Sequence, residues 1–240
     1  MVYTLASLFL LFIIYSFIGY LVEIVTVAIE SDKFTFSRGF LIGPIIPVFG
    51  VGGMLMYLLL YKYENDIVAL FIMSMAICTV LEYFTSYIME KMFNLRWWDY
   101  SHKKMNVNGR ICLSNAIAFG IGGVIIIKYV NPKIFAFIGS FSDTSLYIIS
   151  GVLAILFIID CLISFNIIFS LKNTVSALEK KDSTFRIKRE VKRRLGEQSV
   201  LTKRLVSAFP DLSKLNKSFR KLNIERLLFG RKRFLFFKKK

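Results

Sequence analysis

An all-α integral membrane protein is predicted, with about five transmembrane helices, a broken or re-entrant start to the second, and a basic amphipathic helical tail. Apolar runs such as YTLASLFLLFIIYSFIGYLVEIVTVAI are longer than helices of a soluble core need, and several of them recur along the chain. Hydrophobic residues make up 55% of the sequence, and the mean hydropathy is +0.58. The charge is also divided. Residues 172–240 hold 22 Lys/Arg against six Asp/Glu, the whole net charge of +16, whereas residues 1–171 balance at ten of each. The reading is a transmembrane domain over 1–171 and a cytoplasmic tail over 172–240, with no length left for a second enzymatic domain. A basic tail tethered beside a bilayer meets anionic lipid first, so nucleic acid is not expected as a partner.

The first span, about 3–29, has no basic n-region before it and no small-residue cleavage site after it, so it reads as a retained helix. The second, about 44–61, begins in RGFLIGPIIPVFGVGG, where Pro44 and Pro47 stand among Gly39, Gly43 and Gly50. Proline removes a donor and glycine favours non-helical backbone, which predicts a break. Unwound backbone at membrane depth needs cover from protein or a watery cavity, so the break is a candidate site wall; a plain interfacial turn with proline starting the helix is the alternative. The remaining spans fall at about 67–90, 111–130 and 146–171. With the tail inside, the connections at 30–43 and 91–110 add seven further Lys/Arg on that side, against Lys62, Lys128 and Lys133 outside. That asymmetry predicts the cell (plasma) membrane, with the N-terminus outside and the C-terminus cytoplasmic. An N-terminal tag protected from protease added to intact cells would overturn it. In the tail, Leu201, Leu205, Phe209 and then Leu212, Leu215, Phe219, Leu222 keep a three/four rhythm around Pro210, as basic helices on the inner leaflet or in a helical pair would.

Charged groups inside apolar spans are the sharpest chemical signal, since each costs about 2.5–3.5 kcal/mol on insertion scales unless it finds water or a partner. Glu23, Glu82 and Asp160 qualify. Ser16, Gly19, Glu23, Thr26 and Glu30 share one helix face, and Thr79, Glu82, Ser86 and Glu90 share another; both faces are expected to look into the bundle. Arg38, Arg96 and Arg110 are the cations expected at the same side. Either they pair with Glu23, Glu82 and Glu90 to fix helix order, or the groups together form a polar pocket for an anionic or zwitterionic head group or a solute. In NLRWWDYSHKKMNVNGRICL, the rings Trp97, Trp98 and Tyr100 fit an interfacial aromatic belt. Asp99, Asn108 and Arg110 ask for more, such as a lid or an arginine set against Glu82 or Glu90.

Other chemistries find little support. Cys78, Cys112 and Cys161 are odd in number and lie in apolar runs, so a disulfide framework is not expected. His102 has no metal-ligand spacing around it, and no metal or cofactor is expected. No GxxxxGK[ST], GxSxG or HExxH stretch occurs, and Ser101 beside His102 is a poor nucleophile and base pair.

Four spaced segments in order, FIGYLVE, RGFLIGPIIPVFG, LEYFTSYIMEKMFNLRWWDYS and NVNGRICL, resemble the CmpB-type ABC-transporter family, also called ABC transporter type IV or ABC transporter permease. The resemblance covers about 15–130 and extends to RLVSAFP in the tail; Tyr20 stands where the family usually has Trp. It implies a bacterial inner-membrane protein of several helices. A permease of this kind needs a separate ATPase subunit, for which the 91–110 loop is the expected docking element, and five spans would form alternating half-channels only as a homo-oligomer. The expected function is a permease-like transport subunit whose polar site draws on Glu23, Arg38, Glu82, Glu90, Trp98, Asp99, Asn108 and Arg110. The alternatives are a membrane-embedded enzyme or binding protein acting on a phospholipid head group, and a scaffold with a lipid-sensing tail.

Overall fold

The computed structural model describes residues 4–31, 39–93 and 97–179, and of residues 30, 31 and 171–179 the backbone alone. The helices follow the apolar runs. The first, α1 (Leu5–Ser31), is 27 residues long, about 40 Å at 1.5 Å per residue. Its inner face is Leu10, Leu11, Tyr15, Tyr20, Ile24 and Val27. Helix α2 (Pro47–Leu60) has only 14 residues, about 21 Å. Helix α3 (Ile67–Phe93) buries Leu70, Ser74, Cys78, Glu82 and Ser86, every fourth residue along one stripe. Helix α4 (Leu113–Ile125) continues through a π turn (Ile126–Val130) into α5 (Asn131–Gly139). Pro132 supplies the reason for the wider turn: it has no N–H, and its ring would meet the carbonyl of Lys128 in a regular α-helix. The last helix, α6 (Asp143–Glu179), runs for 37 residues, and Ile148, Val152, Ile155, Leu156, Ile159 and Leu162 give it an exposed apolar face suited to lipid.

Among the described residues, four helical stretches are long and apolar enough to cross a bilayer: Leu5–Ile29, Ile67–Phe93, Leu113–Gly139 and Asp143–Ser170. The second expected span, 44–61, is not one of them. The backbone is non-helical from 39 to 46, Gly39 has a φ of +91°, and α2 begins with Pro47 in its first turn, where a missing donor costs nothing. Gly39, Gly43 and Pro44 therefore lie in the unwound segment. Gly50, grouped with them from the sequence, is helical and buried. Its role is close approach: a Cβ there would stand 2.1 Å from Ser16 Oγ on α1. On the other side of the bundle, a Cβ at Gly123 of α4 would stand 2.0 Å from Ser74 Oγ on α3. Small residues at these crossings let backbones pack tightly, a main source of helix association in a membrane. A buried hydrogen bond from the Tyr15 hydroxyl to Asn131 Oδ1 ties α1 to α5.

The expected inward faces need one correction. Ser16 and Gly19 are buried, but Thr26 is exposed, because its hydroxyl bonds the Val22 carbonyl of its own helix at 2.9 Å and needs no interior partner. Arg38, Arg96 and the tail from 180 onward lie outside the described residues.

Candidate functional site at the end of the third helix

The segment after α3 folds as a small hairpin, β1 (Asn106–Val107) antiparallel to β2 (Ile111–Cys112), with Val107 opposite Ile111. Asn108 and Gly109 both have positive φ, 54° and 69°, the pair a tight turn favours. Asn106 holds the turn from inside: its Oδ1 accepts the Gly109 N–H at 3.0 Å and its Nδ2 donates to the Lys103 carbonyl at 2.8 Å. Asp99 Oδ1 accepts the Ser101 N–H at 3.0 Å, an Asx turn that begins the loop.

The hairpin is fastened along the last three turns of α3. The Tyr100 hydroxyl donates to Glu82 Oε1 at 3.1 Å, Asn108 Nδ2 donates to the Tyr83 hydroxyl at 3.0 Å, and Arg110 forms an ion pair with Glu90 at 2.8 Å. The Arg110 guanidinium also lies 5.5 Å from both the Tyr83 and the Tyr87 ring centres, within the range of cation–π attraction. Trp98 Nε1 donates to the Arg110 carbonyl at 3.0 Å. Trp97 packs between Phe40 and Phe93, at 5.6 and 5.7 Å. These rings therefore tie the loop inward as well as fitting an interfacial position.

Glu82 is the chemical centre of this arrangement. It is 9% exposed, so its carboxylate oxygens need donors. They come from Tyr100 and from the side chain of Asn115 in the first turn of α4, while the charges of Glu23 and Lys103 also reach it. The expected pairing of Glu82 with an arginine is not what is found among the described residues: Arg110 lies with Glu90, two turns further along the same face, and Tyr100 and Asn115, both neutral, bond Glu82. Burial, then the charges of Glu82 and Glu23, push the Tyr100 phenol up from its ordinary value, so the hydroxyl stays protonated and remains a donor. A neutral donor set around a buried acid can hold a proton or orient a polar group.

The sequence missed Tyr100 as a partner of Glu82, and missed Asn115 altogether. No spacing rule joins residues 82, 100 and 115, whereas the Asn108–Gly109 dipeptide did carry a hairpin signal. Asp160, singled out as a charge in an apolar run, accepts the backbone N–H groups of Ile42 and Gly43 at 2.9 and 2.7 Å, with Ser164 Oγ donating to the same carboxylate at 3.0 Å. It thus spans α6 to the unwound segment. Among the described residues no group of three or more His, Cys, Asp or Glu could hold a metal ion.

Arg110→Met should loosen the hairpin without unfolding the bundle. Arg110 is well buried and Glu90 about one-third exposed, so the loss is expected at about 1–2 kcal/mol, below that of a fully buried pair. Limited proteolysis at Lys103 and Lys104 checks this: cleavage should speed up in the variant, and an unchanged rate would mean the ion pair does not hold the loop.

The family described as Putative ABC-transporter type IV matches residues 10–165, which takes in every residue of this site. No curated protein matches the chain, and no solved structure matches it.

Proposed function

Because the chain belongs to the Putative ABC-transporter type IV family, we propose that it is a permease-like transport subunit with a polar intramembrane site near the cytoplasmic end of α3. The observation that carries this reading is Glu82: a nine-tenths buried carboxylate in a membrane helix, approached by Tyr100 and Asn115 from two other parts of the fold. Intramembrane acids of this kind face pathways more often than they decorate a core. The hairpin covers the site from the side proposed to be cytoplasmic, with the N-terminus outside and the tail on the inner leaflet. The unwound 39–46 segment and short α2 then make a fifth, broken crossing, the backbone form that membrane proteins allow where it lines a cavity.

Energy for transport comes, in this reading, from a separate ATPase docked on the 91–110 loop, with homo-oligomerisation completing the pathway. The exposed tip of the loop offers Lys104 and Met105, the latter 73% exposed, while Lys103 is half-buried over the Tyr100 ring. A photo-crosslinking amino acid at Met105 in intact membranes should capture an ATPase subunit; capture of lipid alone would count against docking there. The lipid-enzyme reading draws its phosphate holders from Arg38 and Arg110. Arg38 is outside the described residues, and Arg110 is committed to Glu90 and two tyrosine rings, so no observation favours that reading over transport.

A further inference from the structure

The unwound segment carries two adjacent backbone donors aimed at one point. Ile42 N–H meets Asp160 Oδ1 at 2.9 Å and Gly43 N–H meets Oδ2 at 2.7 Å, a side-by-side grip in which each carboxylate oxygen has its own donor. Consecutive N–H groups of this kind form a concave anion seat. Two features mark it as more than a staple. Gly43 is the residue type the seat requires, since a Cβ there would stand 2.8 Å from Asp160 Oδ2. The seat also lies at the edge of the fold: Ile42, Gly43 and Asp160 are half-buried and Pro44 is exposed. The helix that fills it turns much of its length outward beside Asp160, with Leu156, Ile158, Ile159 and Leu162 exposed. Elsewhere along α6, Ser150 Oγ donates to the Ala6 carbonyl at 2.9 Å.

We propose that the Ile42 and Gly43 N–H pair is a carboxylate-binding seat, filled by Asp160 in this conformation and open to a free carboxylate when α6 moves off. Resting on the transport reading, this makes the solute an organic anion bearing a carboxylate, which exchanges with Asp160 as the helix shifts. The planar group, with two oxygens at the spacing of adjacent peptide N–H donors, fits better than a tetrahedral phosphate. Ser164, which bonds both Asp160 Oδ1 at 3.0 Å and the Ile42 N–H at 3.3 Å, gives the displaced side chain a partner on its own helix.

Chemical rescue tests the seat whatever the protein carries. Asp160→Gly, purified as the full chain in mild detergent, should melt about 5 °C or more below the parent, and formate should restore at least half of that shift with saturable dependence. Phosphate and chloride at equal ionic strength should not, and the parent should not respond. A well-folded Asp160→Gly protein that ignores formate, or answers phosphate instead, overturns the proposal. If that variant is not recovered folded, Asp160→Asn decides: the amide offers one acceptor where the seat needs two, so it should melt below the parent and below Ser164→Ala, and equality with the parent overturns the seat. Formate rescue without any associated ATPase would leave the seat standing and remove the transport reading alone.

Discussion

Glu82→Gln should leave a folded protein that has lost its coupled activity. The amide keeps an oxygen for Tyr100 and Asn115, so unfolding in detergent should move by no more than about 1 kcal/mol, while the ATP turnover that the chain supports with its ATPase should fall at least about tenfold, the equivalent of 1.4 kcal/mol. Glu82→Leu separates the two roles further. It strands the half-buried Tyr100 hydroxyl, which donates to Glu82 at 3.1 Å, at a cost of about 1–3 kcal/mol. A Gln variant with full activity would reduce Glu82 to a structural acceptor for the hairpin.

Gly123→Leu should be the most damaging single change in the bundle. Even a Cβ at this position would stand 2.0 Å from Ser74 Oγ and 2.2 Å from Ser74 Cβ, so α3 and α4 must separate to admit any side chain. Gly123→Ala alone is expected to cost about 1–3 kcal/mol by overpacking, and the larger leucine should prevent recovery of folded protein. Ser74→Gly added to Gly123→Ala should return part of the loss, because it removes the atoms that collide. Thermal unfolding of the three proteins in one detergent provides the check, and a Gly123→Ala protein as stable as the parent would show that the two helices do not pack at this crossing. Since Glu82 lies two turns along the same buried stripe as Ser74, a wider α3–α4 spacing would also pull Asn115 away from the acid.

The long helices were legible in the sequence because a bilayer demands about twenty apolar residues and little else supplies them. Non-helical backbone around Pro44 was legible too, from the prolines and their neighbouring glycines, although those residues fit an interfacial turn with proline starting the helix as well as a re-entrant break. The true length of α2 was not, because Ile45 and Ile46 look as helical as the residues after Pro47. Reading Arg110 as a partner for Glu82 or Glu90 left two choices open, and geometry separates them: the hairpin sets Arg110 beside the outer of the two acids. Tyr100 was invisible as a ligand because its contact with Glu82 depends on Asn108 and Gly109 turning the chain back, a tertiary consequence of a two-residue signal. Asp160 was visible as an expensive charge, but its partners are backbone N–H groups of residues 42 and 43, which no side-chain pattern could reveal.

The central claim, that this chain is the membrane subunit of a transport complex, is tested most directly by mass spectrometry of the protein purified in mild detergent. Every co-purifying protein and lipid would be recorded. The prediction is an ATPase retained in fixed stoichiometry and lost when the 97–112 hairpin is loosened by Arg110→Met. Absence of any ATPase, with one lipid class bound instead and released by that same variant, would contradict it.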